Sequence, residues 1–323
     1  MFIIKILIIA VTLLTKLTAQ GVRPVNTYSI VALDEKTGEF GVAVQSHWFS
    51  VGSIVPWAQA GVGAVATQSI AKVEYGPHGL SLMAQGLTAN EALAKLIAED
   101  EGAAVRQVGM VDARGNVASH TGEKCIAEAG FRIGENYTVQ ANIMDKNTVW
   151  DAMAEAFENS SGDLADRMMA AMEAAQAEGG DLRGKQSAAI LIVSGEPTGI
   201  PWKDVKMELR IEDHPEPIKE LKRLIQVHRA YEHANLGDHY LELGETDKAL
   251  EEYRLSAKYY PENPELPFWT AVTLVTAGKL EMALPIFADV FARNPKLKKL
   301  VPRLVPSGFF PDDKEILQQV MNL

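Results

Sequence analysis

The feature that most restricts the fold of this chain lies in its last third, where residues recur 34 positions apart. Gly244 and Gly278, Ala249 and Ala283, Leu250 and Leu284, Tyr253 and Phe287, and Pro261 and Pro295 all share that interval. A period of this length fits a pair of antiparallel helices with two short turns, repeated. Small alanines let two helices approach, the aromatic fills the gap, and the proline ends the second helix because it lacks an N–H and clashes with the turn before it. Leu236, Gly237 and Tyr240 complete the front helix of the first unit, and Thr270, Ala271 and Leu274 hold those places in the second. Two units fall short of the usual three that a stable array needs. They are therefore expected to lean on a helix over 218–229 and on a final helix over 314–321.

Before the repeats the rhythm changes. Residues 27–32 and 40–46 predict two antiparallel strands around the turn "DEKTGE" at 34–39. Further short strands follow, broken by Pro56, Gly61 and Gly63. Leu80, Met83 and Ala84 share a helical face, and 89–98 predicts a helix with Thr88 as its cap and Glu91 three residues on. A hairpin is expected around 113–116, a strand at "YTVQANIM", and helices over 148–157 and 164–177. "SAAILIV" at 187–193 predicts a buried strand, and "KMELRIEDHP" an edge strand that ends before Pro215. Strands, helices, strands, helices, strands is not an alternating parallel pattern. It predicts an α+β fold in which antiparallel sheets are layered with helices, and two such sheets packed together give a four-layer sandwich.

The amino terminus is different in kind. "MFIIKILIIAVTLLTKLTAQG" places Lys5 before an apolar stretch at 6–14 and ends in Leu17-Thr18-Ala19. That is the pattern of a secretory signal cut after Ala19. The expected organisation is a signal peptide at 1–19, a short pro-segment or linker at 20–26, a sandwich domain at 27–216 and a helical region at 217–323. Export to the periplasm or the extracellular space follows, with no stable membrane span once the signal is gone, since the apolar run is short for a bilayer. The 323 residues are 47% hydrophobic and 23% charged, an ordinary globular balance. A net charge of −11 argues against a nucleic-acid partner. Cys125 is the only cysteine, which excludes an internal disulfide and a cysteine-built zinc cage. No His, Asp and Glu grouping has metal-ligand spacing, so neither a metal nor a cofactor is expected.

"TYSIVALDEKTGEFGVAVQSHWFSVGSIVPWAQAGVGAVATQS", "YGPHGL", "RQVGMVDARGNVASHTGEKC", "GGDLRGKQSAAILIV" and "EDHP" come in that order between Thr27 and about Arg229. Together they resemble domain-of-unknown-function family 1028. The resemblance implies the four-layer αββα sandwich of the amino-terminal-nucleophile (Ntn) hydrolases and a small amide or peptide substrate. In such enzymes a Thr, Ser or Cys at the mature amino terminus attacks an amide carbonyl, and its own α-amine takes the proton. Thr27 matches the nucleophile position. Here, however, "QGVRPVN" stands between the signal and Thr27. Either a second cut falls between Asn26 and Thr27, or Thr27 is a strand residue in a non-catalytic binding or scaffold protein.

Other residues gather around this question. Ser29 shares a strand face with Thr27. Ser46 and His47 end the second strand on opposite faces, so only one of them can face Thr27. The family commonly has Arg where this chain has His47, which favours a surface role for it. Thr67, Gln68 and Ser69 form a polar triplet that is either a site rim or an exit from the core. Asn142 either donates to an oxyanion or ties two backbone segments together. Asp181 and Arg183 lie in the Gly-rich loop "GGDLRGKQS", where they lock the loop or grip a substrate carboxylate, and Ser187 offers a hydroxyl beside the same rim. The loop is predicted to floor the cavity that Thr27 faces. The helical repeats resemble tetratricopeptide (TPR) units, which present a concave groove to a protein or peptide partner. Self-association into a homo-oligomer is the other use of such a tail. The combined expectation is an exported amidohydrolase with a TPR-like interaction tail.

Overall fold

The computed structural model describes Val25 and residues 27–323. The expected signal segment and, Val25 apart, the expected linker lie outside the described residues. Two compact units emerge, one ending at Leu221 and one spanning Lys222–Leu323.

In the first unit, β1 (Thr27–Leu33), β2 (Phe40–Ser46), β8 (Tyr137–Ala141), β7 (Gly130–Gly134), β9 (Ser187–Val193) and β10 (Val205–Ile211) form a six-stranded antiparallel sheet in the order β10-β9-β2-β1-β8-β7. A four-stranded antiparallel sheet has the order β3 (Pro56–Gln59), β4 (Gly63–Ser69), β5 (Arg106–Asp112), β6 (Val117–Thr121). Side chains alternate between faces along a strand. Tyr28 therefore points one way, where its hydroxyl donates to Gln176 of α4 (Leu164–Ala177), and Ser29 points the other, where its hydroxyl donates to Gln68 of β4. Gly41 admits α4 closely, because a Cβ there would lie 2.6 Å from Met168 Sδ. Helix α3 (Val149–Asn159) precedes α4 and, like it, packs against the larger sheet. On the smaller sheet, Val65, Val108 and Met110 pack with Leu80 and Met83 of α1 (Tyr75–Ala84) and with Ala92 and Leu93 of α2 (Ala89–Ala98). Helix α2 starts as its sequence predicts. Thr88 accepts from Glu91 N at 3.2 Å, and Glu91 accepts from Thr88 N at 2.8 Å. A third apolar cluster, including Val31, Val42, Val44, Ala64, Ala66 and Val111, fills the space between the sheets.

Beyond a short turn at α5 (Pro201–Asp204), helix α6 runs unbroken over Pro217–Glu242. The sequence predicts instead a helix ending near Arg229 with a separate front helix after it. No proline interrupts the segment, and Gly237 alone does not break it. The glycine serves packing, since a Cβ there would lie 2.7 Å from the Tyr253 ring. The second unit continues with α7 (Thr246–Tyr259), α8 (Glu265–Thr276), α9 (Leu280–Arg293), the short α10 (Pro295–Lys298) and α11 (Val301–Leu304), and α12 (Lys314–Met321). The 34-residue period reappears in three dimensions. Gly244 follows the end of α6 and Gly278 the end of α8, the front helices of the two units, with φ 75° and 72°. Ala249 and Ala283 are buried, as are Tyr253 and Phe287. Among the described residues, no helix is long and apolar enough to cross a membrane.

Strand β7 is not evident in the sequence. Its apolar Phe131 and Ile133 are exposed on an edge, so "GFRIG" buries no face that alternation could announce.

Candidate functional site

Register alone brings three hydroxyls into a row. Thr27 pairs with Ser46, and Ser46 with Ser187, across β1, β2 and β9. Paired residues of antiparallel strands share a face. Thr27 Oγ1 accordingly donates to Ser46 Oγ at 3.3 Å, and also to Val25 O at 2.9 Å. Ser187 faces the same way but turns its hydroxyl to Trp48 O and accepts from Val51 N. All three hydroxyl residues are fully buried. Thr27 therefore has no open cavity above it, and Val25 is the described residue whose carbonyl meets its hydroxyl.

The Thr27 carbonyl is held from three donors: Asn142 N at 3.1 Å, Gln68 Nε2 at 3.2 Å and Asn142 Nδ2 at 3.5 Å. Asn142 also donates to Gln107 Oε1 at 2.8 Å, so its amide nitrogen ties segments together, while its Oδ1 is buried without a partner. Gln68 donates to Gln107 Oε1 at 2.7 Å and accepts from Ser29 at 2.6 Å. Gln140 donates to Ser29 Oγ at 2.6 Å, and Gln107 donates to Thr121 Oγ1 and Ala141 O at 2.8 Å each. A continuous amide and hydroxyl network thus crosses between the two sheets beneath Thr27. Gly109 leaves room for it, since a Cβ there would lie 2.2 Å from Gln140 Oε1. Of this network the sequence points to Ser29, Gln68 and Asn142. It does not single out Gln107 and Gln140, although Gln140 stands two residues before Asn142 on one strand face.

The polar triplet splits. Only Gln68 faces Thr27. Thr67 turns its hydroxyl to Lys72 O, and the Ser69 side chain meets Cys125. Burial pushes the Cys125 thiol up, against the hydrogen bonds from Ser69 and Gly122 N, so it stays protonated rather than nucleophilic. Ser69 has φ 70° and Ile143 φ 55°. A β-branched residue in the left-handed region is strained, and such strain gathers at functional sites. These two residues flank the Thr27 end of the network. The sequence marks Ser69 as part of the polar triplet but not its left-handed backbone, and it does not mark Ile143 at all.

The loop of Asp181 joins from the side. Asp181 Oδ1 accepts from Arg183 N at 2.9 Å and Nε at 3.1 Å, and Oδ2 accepts from Arg183 Nη2 at 2.8 Å and His47 N at 3.1 Å. The Asp181 side chain is shielded from solvent while the Arg183 guanidinium is partly exposed. Leu182 N donates to Ile143 O at 3.1 Å, and Met144 bridges Asp181, which fastens the loop to the strained turn after Asn142. Burial first and then the Asp181 charge hold the Tyr28 hydroxyl far above its ordinary range. His47 gives its backbone to Asp181, and its Nδ1 is buried without a hydrogen-bond partner. Of the pair at the end of β2, Ser46 is thus the one that meets Thr27. Among the described residues, no group of three or more His, Cys, Asp or Glu could hold a metal ion.

The family profile described as "Family of unknown function (DUF1028)" matches residues 27–221. The chain belongs to the DUF1028 family. The match begins at Thr27 and ends at Leu221, so every site residue named above except Val25 lies within the DUF1028 part. A Silicibacter pomeroyi protein of known crystal structure, assigned to DUF1028, is similar at 31% identity and a TM-score of 0.56, over 62% of this chain and 85% of that one. Anbu (ancestral beta-subunit) from Yersinia bercovieri aligns at 11% identity and a TM-score of 0.31, over 61% of this chain and 92% of its own. No curated protein matches. The helical unit from Lys222 onward lies beyond the DUF1028 match.

Proposed function

We propose that this DUF1028 protein is an exported amidohydrolase of the amino-terminal-nucleophile type, with the four-layer αββα sandwich of that class and Thr27 as its nucleophile. One observation carries the reading. The Thr27 hydroxyl opens a central strand, fully buried, with Ser46 Oγ 3.3 Å away and a backbone carbonyl 2.9 Å away. A cut between Asn26 and Thr27 would free the α-amine. That amine then takes the Thr27 proton as Oγ bonds to the substrate carbonyl carbon, and hands it to the leaving amine as the C–N bond breaks. Water hydrolyses the resulting ester and restores Thr27. Ser46 orients the hydroxyl, and Asn142 and Gln68 hold the Thr27 carbonyl so that the nucleophile does not drift. Asn142 is a positioning residue in this scheme because its amide nitrogen is already committed.

The test is the amino-terminal sequence of the protein purified from its own host, together with amide hydrolysis by that material. A mature start at Thr27 is expected. A start at Gln20 with no hydrolysis sinks the reading and leaves a non-catalytic binding protein, which the complete burial of Thr27 beneath Val25 favours as the second reading.

The helical unit, read as two TPR-like repeats, supplies the interaction surface. A groove of about 650 Å³ lies there, lined by Leu241, Trp269 and Phe309 with Asp238 and Glu242 at its edge. Its size suits a peptide side chain cluster.

A further inference from the structure

We propose that the place now held by Val25 becomes a substrate subsite once the residues before Thr27 are removed. It would take an extended peptide or N-acyl amide whose acyl residue carries a small branched aliphatic side chain. The inference rests on the reading of Thr27 as a freed nucleophile.

Three contacts define the place. Val25 N donates to Ser69 O at 2.6 Å, and Ser69 N donates to Val25 O at 2.9 Å. That reciprocal exchange is the hydrogen-bonded pair of an antiparallel ladder. The Val25 side chain is 4% exposed and belongs to the apolar cluster between the sheets, with Val44, Val51, Val55, Ala66 and Ala189. The Val25 carbonyl accepts from Thr27 Oγ1 at 2.9 Å. One residue is thus gripped by main chain on both polar groups, by shape at its side chain, and by the candidate nucleophile at its carbonyl.

Removing that residue leaves Ser69 N and O without their partner and opens an apolar void of about valine size. Buried backbone groups left unpaired are costly. A strand from another molecule restores the same two hydrogen bonds, which supply affinity, while the void selects the side chain. The bound residue's carbonyl then falls where the Val25 carbonyl is now, within hydrogen-bond distance of Thr27 Oγ1. The branched residue is therefore the acyl side of the bond to be cut. The left-handed φ of 70° at Ser69 acquires a use here, because it ends β4 with both backbone polar groups turned to the incoming chain.

The test uses a chain that begins at residue 27 and carries Thr27→Ala, so that hydrolysis cannot consume the probe. Acetyl-valine methylamide is titrated beside acetyl-glycine methylamide and acetyl-lysine methylamide. The valine probe is expected to bind at least about 10-fold tighter than either, as an apolar pocket discriminates by side-chain size, and none is expected to bind the chain that keeps Val25. Equal affinities for the three probes, or binding to the chain that keeps Val25, overturn the subsite. Shortening the chain also removes a packed side chain, so a second measurement supplies the heptapeptide QGVRPVN in trans during refolding. Recovery with this peptide, and not with versions carrying Val25→Gly or Val25→Lys, supports the subsite, and recovery with all or with none overturns it. The hydrolase reading fails separately: a chain beginning at Thr27 that binds the valine probe yet releases no aniline from acetyl-valine anilide refutes the hydrolase and keeps the subsite.

Discussion

Asp181 accepts four hydrogen bonds, three from Arg183 and one from His47 N. Asp181→Asn keeps the shape but turns one acceptor into a donor, which then faces N–H groups with nothing to give them. The expected cost is roughly 2–3 kcal/mol, the range for hydrogen bonds to a charged group. Arg183→Lys keeps the charge and loses the planar fork, so about 1 kcal/mol is expected. Urea unfolding of the two variants measures both, and an Arg183→Lys variant as stable as wild type would show that the fork geometry contributes nothing. Under the proposed hydrolase reading, amide hydrolysis should fall with Asp181→Asn, because the same loop fastens the turn at Ile143 that carries Asn142 to the Thr27 carbonyl. The candidate site was half legible at this scale. Thr27, Ser46 and Gln68 announced themselves as polar residues at strand ends. Ile143, and the strain at Ser69, did not, because a positive φ in a non-glycine residue is imposed by surroundings that one sequence does not display.

At the scale of elements, Asp100 links α1, β5 and the turn after α2. It accepts from Tyr75 at 3.1 Å, from Arg106 Nε at 2.8 Å and from Gly102 N at 3.0 Å. Burial works against its charge, but the Arg106 hydrogen bond and the Gly102 N–H outweigh it and hold the carboxyl well below the usual carboxylate range. A depressed folded-state pKa stabilises the fold above the unfolded-state value and is lost as pH falls through the folded one. The stability gap between wild type and Asp100→Asn should thus be full near neutrality and close below about pH 4, where the unfolded carboxyl titrates. Urea midpoints across that range read it, and a gap independent of pH would contradict the assignment. Elements fixed by local chemistry were readable in advance. The capping box at Thr88 and the limits of α12 are examples, since their signals lie within a few residues of each other. Those fixed by their neighbours were not. The edge strand β7 has no buried face of its own, and the role of Gly237 in α6 is to fit against Tyr253 from another helix, a contact that one sequence does not display.

For the whole molecule, the two units carry separate cores. In the helical unit, Phe268 and Phe287 meet edge to face with ring centroids 5.8 Å apart, and both are fully buried. Phe287→Ala should destabilise that unit by about 3–5 kcal/mol. Hydrogen exchange should show protection lost across α8 and α9 and kept across β1 and β2, and uniform loss over both units would contradict the separation. The period of 34 residues made this division visible from the sequence, whereas the pairing of the two sheets rests on contacts between residues far apart in the chain. In the first unit, the amide network between the sheets bears on how a lineage of such proteins can drift. Gln68, Gln107, Gln140 and Asn142 each complete a neighbour's hydrogen bonding, so replacing one strands another at about 1–3 kcal/mol, while replacing partners together with apolar residues of equal shape is close to neutral. Single-step change is therefore closed at these positions and concerted exchange is open. Gly109 is bound into the same set, because any side chain there collides with Gln140. The five positions are expected to change together rather than singly, which stability measurements on single and combined substitutions check.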